Sequence, residues 1–459
     1  MSNDQPRAVA NFREQLQLME ERGDLVRISR EVDPEFEMAA VTQRMDPGPV
    51  LLFENVTGYS MPVVLGMDGT RDRIAAAIGV EPLDLIARYG RAIEQPIDPQ
   101  FVDDAPVHEV VITDDVDVLS ELPVMTHYEH DGGPYITTGV VIAEDPADGT
   151  RNVSYHRLQV TGPDELRGLI LPRHLKEMLK AAESRGEPLP VAIALGLDSA
   201  QRLAAATWGS QIPLGLDEFS ISGALKGRAE QLVACKTIPV HVPAEAEIVI
   251  EAEILPATVD KEGPFAEYTG NYGAVVKSPV FQVKAITRRA DAYYQGLLAF
   301  TTEHHNLLGL PYEPVVLKTL QGTLPNTEAV HITPGGCGKF HVVVRIDKRH
   351  DGDGKDAIIA GLHAVRDIKL VTVVDNDVDP FSPRDVEWAM STRFLADRDV
   401  LIVEGAKGNE LDPSTGGTAL TAKMGIDATK PLEAGDRFER VRIPGADDLD
   451  LQDYLSVGS

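Results

Sequence analysis

Apolar positions at the start of the chain follow a helical beat. Phe12, Leu16 and Met19 recur at intervals of four and three, which places one stripe on a helix. Gly23 after the basic Arg22 suits a left-handed cap, and residues 25–28 then read as a strand. Residues 50–53 and 62–65 are short continuous apolar runs on either side of Gly58, as buried strands require, and residues 71–77 open another helix. This mixed α/β stretch ends near the loop at 94–99.

The texture then turns to β. Residues 107–112, 136–143, 152–160, 190–195, 230–233, 246–254 and 280–287 are strand candidates, with helical spacing near 175–184 and 199–205. So many strands punctuated by Gly and Pro predict a barrel or sandwich carrying helical insertions. Continuous β runs return at 341–346 and 369–374, and the helical spacing of 357–365 between them predicts a βαβ unit. The acidic tail at 447–453 is either mobile or docked through Leu449, Leu451 and Leu455.

A chain of 459 residues suggests about three domains. The formal charge of -29 repels phosphate backbones and disfavours a general nucleic-acid binder. Cys235 and Cys337 are too few for a disulfide scaffold and form no C-x-x-C motif, so both read as buried small apolar side chains. No signal peptide and no apolar stretch of roughly 18 residues is visible. The expectation is a soluble cytoplasmic protein with no membrane partner.

The most unusual segment runs from Asp260 to Gly273, DKEGPFAEYTGNYG. Gly263-Pro264 breaks regular structure directly after Glu262, and a tight turn there brings Glu262 near Glu267. Paired carboxylates separate in function, one ionised and the other held as an acid. On residue types alone, a solvated hairpin with two surface acids is the default. Within NVSYHRLQ (152–159), Arg157 can fix a carboxylate through its forked donors or form an ordinary edge-strand salt bridge. His174 in GLILPRHL and Glu218 in LDEFSISG are each ordinary when taken alone. Gly335-Gly336-Cys337-Gly338-Lys339 lacks phosphate-loop spacing and reads as a turn. No G-x-G-x-x-G follows a strand, and no G-x-S-x-G occurs.

Together NVSYHRLQ, GLILPRHL, LDEFSISGALKG and KEGPFAEYTGNYG, in this order, resemble the UbiD-like decarboxylases. The likeness extends over nearly the whole chain, from RGDLVRI to VVDNDVDPFSPRDVEWAMSTRF. It implies an α/β (α+β) enzyme with a central split β-barrel that binds flavin, flanked by N-terminal and C-terminal α/β domains. The expected divisions are 1–105, 106–305 and 306–459, the last contributing to a homodimer or larger homo-oligomer.

The resemblance further implies reversible, non-oxidative decarboxylation of an aromatic, heteroaromatic or α,β-unsaturated acid, releasing CO2. The cofactor is prenylated FMN, supplied by a separate flavin prenyltransferase and bonding covalently to the substrate. It is held with Mn2+ (or Mg2+) and K+. Asn152, His174 and Glu218 match the family's metal ligands; Arg157, Glu262 and Glu267 match its catalytic network. Ser154, Arg173, Ser210, Ile212, Pro213 and Lys423 fall in segments that surround the cofactor. Glu267 matches the proton donor, which needs a low-dielectric pocket to keep it protonated. His304 and His305 are candidates for the substrate pocket, where imidazole could bind a ring N–H or polar substituent of a pyrrole, furan or indole acid. The rivals are an FMN oxidoreductase of split-barrel type and a non-enzymatic flavin carrier. One condition attaches: Asn152 and Arg157 are five apart, so a regular strand would point them to opposite faces unless it is interrupted.

Overall fold

The computed structural model describes residues 7–145, 148–207, 215–445 and 449. Apart from Leu449, which is exposed, the acidic tail falls outside them. At the N-terminus, the Asn11 side chain caps helix Phe12–Glu21 by accepting from Glu14 N at 3.0 Å. Phe12, Leu16 and Met19 bury the expected stripe against Val50, Leu52 and Val64. Gly23 ends the segment at φ +74°, a conformation that suits glycine. The four-stranded sheet behind this helix runs Leu25–Ile28, Val50–Phe53, Val63–Leu65, Tyr294–Gln295. Its last strand comes from far along the chain, so the N-terminal and central units share a sheet.

The central sheet has nine strands. Its main path starts at Tyr135–Ile136 and Leu158–Gly162 and ends at Val140–Glu144 and Arg151–Tyr155. Between those ends lie Glu165–Arg167, Val276–Arg288, Ile248–Glu262 and Leu189–Leu195, while Val110–Ile112 pairs with Val276–Arg288 off the path. Only His156 and Arg157 separate Arg151–Tyr155 from Leu158–Gly162 in sequence. Laid flat, the six inter-strand steps between them would span roughly 29 Å. Three residue steps of chain reach at most about 11 Å. The sheet must therefore curl until its ends approach, forming a half-barrel. Leu175 and Leu179 of helix His174–Arg185 pack into its interior with Val141, Leu158, Ile193, Ile250 and Phe281. Val140, Ile142, Ala192 and Val249 point to the other face, beneath Phe219 and Ala205. Burial on both faces explains the unbroken apolar run at 190–195.

The C-terminal sheet runs Thr327–Ile332, His341–Ile346, Leu370–Asp375, Leu420–Asp427, Val400–Lys407. Strands His341–Ile346 and Leu370–Asp375 are parallel and joined through helix Asp353–Ala364, the expected βαβ unit. Three expectations change. The strand at 152–160 is two strands, the one at 246–254 continues to Glu262, and helices Glu218–Lys226 and Thr302–Gly309 appear where none was read. Cys235 and Cys337 are free and partly exposed; neither is fully buried. No described helix is long and apolar enough to cross a membrane.

Candidate active site

The interruption at His156–Arg157 builds the site. Asn152 and Ser154 lie in the strand Arg151–Tyr155, whose alternation ends before Arg157. His156 N–H donates to Gly139 O at 3.1 Å, closing the corner where the sheet curls back. Arg157 thus escapes strand parity, and the condition set by the five-residue spacing is met.

Arg157 reaches both predicted glutamates. Its Nε donates to Glu262 Oε1 at 3.1 Å, its Nη2 lies 3.5 Å from Glu262 Oε2, and its Nη1 donates to Glu267 Oε1. Glu262 is the last residue of the long strand Ile248–Glu262 and is fully buried. Tyr135 Oη donates to Glu262 Oε1 at 3.0 Å, and Ser278 Oγ lies 3.4 Å from Oε2. Every described hydrogen-bond partner of this carboxylate donates to it. Glu267 differs: one oxygen meets Arg157, and no described group binds the other.

The turn after Glu262 sets this pairing. Gly263 has φ +99°, and its N–H donates to Gln159 Oε1 at 3.0 Å. Ala266 then bridges to Tyr272, folding Glu267 back toward Arg157. A Cβ on Gly273 would sit 2.8 Å from Glu267 Oε1, so only glycine leaves that carboxylate its place. Phe265 lies 5.0 Å from the guanidinium carbon and 4.5 Å from the Tyr135 ring, screening the cluster with aromatic surface. Sequence reasoning missed Tyr135, Ser278, Gln159 and Phe265; their partners lie in other strands or turns, so no local spacing marks them.

A second group surrounds the Arg151–Tyr155 strand. Asn152 is buried and donates through Nδ2 to Ser154 Oγ at 2.9 Å, leaving its amide oxygen unclaimed by any described group. Glu218 opens helix Glu218–Lys226 and accepts Val153 N–H at 3.0 Å. No described side-chain cation pairs with it, because Arg151 is committed to Asp217 and Glu144. Burial pushes the Glu218 carboxyl up to about 8. His174 is the first residue of helix His174–Arg185, and both helices pack on this strand. An amide oxygen, an imidazole and a buried carboxylate lacking a counter-charge form a donor set that fits a divalent cation.

Lys423 donates to Leu362 O at 3.2 Å and Arg366 O at 2.8 Å, capping carbonyls at the end of helix Asp353–Ala364. Arg173 precedes His174, and burial lowers its pKa. Ser210, Ile212 and Pro213 lie outside the described residues. His304 and His305 sit on helix Thr302–Gly309, which Glu303 anchors by accepting Gly66 N–H at 2.9 Å and Arg202 Nη2 at 3.0 Å. His305 Nε2 donates to Tyr268 O at 2.8 Å, tying this helix to the residue after Glu267.

Three family models tile the chain. They are the N-terminal, Rift-related and C-terminal domains of 3-octaprenyl-4-hydroxybenzoate carboxy-lyase, matched at residues 16–93, 100–301 and 305–428. The chain belongs to the UbiD family. Among its relatives, an anhydromevalonate phosphate decarboxylase of Methanothermobacter thermautotrophicus is 39% identical, over 90% of this chain and 96% of that protein. The UbiD-class enzyme HmfF of Pelotomaculum thermopropionicum, solved with FMN, is 45% identical with a TM-score of 0.93, over 97% of this chain and all (100%) of that one. An evolved dimeric form of HmfF with prFMN is 43% identical with a TM-score of 0.89, over 97% of this chain and 100% of its own. As a UbiD-family decarboxylase, the protein is a carboxy-lyase on a flavin-binding fold.

Proposed function

We propose that the protein catalyses reversible, non-oxidative decarboxylation of an aromatic, heteroaromatic or α,β-unsaturated carboxylic acid, with Glu267 as proton donor. The observation that carries this is one guanidinium shared by two unlike carboxylates. Prenylated FMN, made by a separate prenyltransferase, supplies the electron sink that no side chain offers. Arg157 Nη2, 3.5 Å from Glu262, is its least committed donor and is free to orient the substrate carboxylate. Glu262, held by Tyr135, Ser278 and Arg157 Nε, keeps the guanidinium in place. Glu267 carries a proton on its unclaimed oxygen to the carbon that loses CO2, and takes it back in the reverse direction. Asn152, His174 and Glu218 would hold Mn2+ or Mg2+, which with K+ would offset the cofactor's negative charge; Ser154 and Arg173 neighbour these ligands in sequence, and Lys423 caps carbonyls at the end of helix Asp353–Ala364.

The histidines adjust the substrate reading. His304 Nδ1 accepts Phe300 N–H at 3.3 Å, so its Nε2 carries the hydrogen. That imidazole offers a donor, which suits a furan oxygen or an acceptor substituent and does not suit the N–H of a pyrrole or indole.

In Glu267→Gln, loaded with prenylated FMN, CO2 release is expected to fall about 10²–10⁴-fold while cofactor absorbance persists. Undiminished turnover would remove Glu267 from the donor role.

A further inference from the structure

Arg151 stands next to Asn152 in sequence, and Asp217 stands next to Glu218. These two neighbours of the metal candidates hold each other. Strand Arg151–Tyr155 ends the main path of the central sheet, so one of its edges pairs with no described strand. Val153 N–H donates to Glu218 at 3.0 Å, which seats a buried carboxylate two residues along from Arg151. The guanidinium is buried too, with 7% of its side chain exposed, and its charge reaches Glu218. A cation and an unmatched anion buried this close would ordinarily pair.

They do not pair. Arg151 Nε donates to Glu144 Oε1 at 2.9 Å, Nη2 lies 2.7 Å from the same oxygen, and Nη1 donates to Asp217. Both acids are fixed from elsewhere. Glu144 lies opposite Arg151 in the strand register and also accepts His241 N–H at 3.2 Å. Asp217 Oδ1 caps helix Glu218–Lys226 by accepting Phe219 N–H at 2.9 Å. Capping alone needs no charge, since an asparagine serves that position as well as an aspartate. Two carboxylates thus share one guanidinium, while the third, Glu218, is left without any.

We propose that Glu144 and Asp217 are positioning residues that hold Arg151 away from Glu218, reserving that carboxylate for a divalent cation. A released Arg151 would turn to Glu218 and take the place of the metal's charge. This inference rests on the reading of Asn152, His174 and Glu218 as metal ligands.

Mn2+ would be titrated into the FMN-loaded chain, with free Mn2+ read by electron paramagnetic resonance. Glu218→Gln tests the underlying reading. A parent protein that binds no Mn2+, or a Glu218→Gln variant that binds it as tightly as the parent, overturns the metal site and the proposal with it. Asp217→Asn keeps a capping oxygen but drops the charge, and should raise the Mn2+ Kd about 10- to 100-fold. In an Arg151→Gln background the same substitution should change Kd by less than about 2-fold, because no guanidinium remains to intrude. Equal losses in the two backgrounds would mean that Asp217 acts only through its own charge. That result, or an unchanged Kd in Asp217→Asn, overturns the proposal and leaves the metal site standing. Melting curves identify a variant that misfolds; Glu144→Gln then carries the same cycle on the other acid, with the same outcomes deciding.

Discussion

Arg157 binds two carboxylates whose surroundings differ. Glu262 meets only donors, whereas Glu267 keeps one oxygen free of described partners. Removing a donor from the buried member should be felt in both stability and rate. Tyr135→Phe leaves the fully buried Glu262 short of its 3.0 Å hydrogen bond, which costs about 1–3 kcal/mol. Denaturant unfolding should register that loss, and kcat should drop as Arg157 loosens; unchanged values in both would show that Tyr135 does not hold the network. Arg157, Glu262 and Glu267 were legible because they sit in recognisable strings. Tyr135 and Ser278 were not, since each meets Glu262 only across the folded sheet.

Breaks and edges, more than the elements themselves, carry this protein's properties. A uniform strand over 152–160 would have turned either Asn152 or Arg157 away, and the two-residue corner frees both. The pattern of apolar residues located most strands but gave no sign of that corner, because His156 and Arg157 are compatible with an extended chain. At the C-terminal edge, strand Val400–Lys407 leaves Ile402 60% exposed beside its partner Met424, with Leu420 and Leu395 also uncovered. Apolar surface on an unpaired edge strand favours self-association. Sedimentation velocity should show a dimer or larger assembly, and Ile402→Glu should shift it toward monomer. A monomeric parent protein would rule this edge out as an interface.

One buried and three half-buried imidazoles couple the whole fold to pH. Burial holds His127, His156 and His341 at about 4 and His304 at about 3, against an ordinary value of 6.5. The unfolded chain binds protons that the folded one refuses, so stability rises with pH across this window and is lost as pH falls below about 6.5. A shift from 6.5 to about 4 sets an upper bound of about 3 kcal/mol for each of His127, His156 and His341, and the bound for His304 is larger. The apo protein should therefore melt at a lower temperature at pH 5 than at pH 7; a flat profile would mean these rings are hydrated. The sequence by itself determined the mixed α/β layering and the βαβ unit, because periodicity is a local property, while the three catalytic candidates were picked out by the resemblance of the strings that hold them. Only the tertiary structure decided that the central sheet curls, that one guanidinium spans both acids, and that Arg151 comes to rest on Asp217. Those facts depend on contacts between residues tens to hundreds of positions apart, which no local pattern encodes.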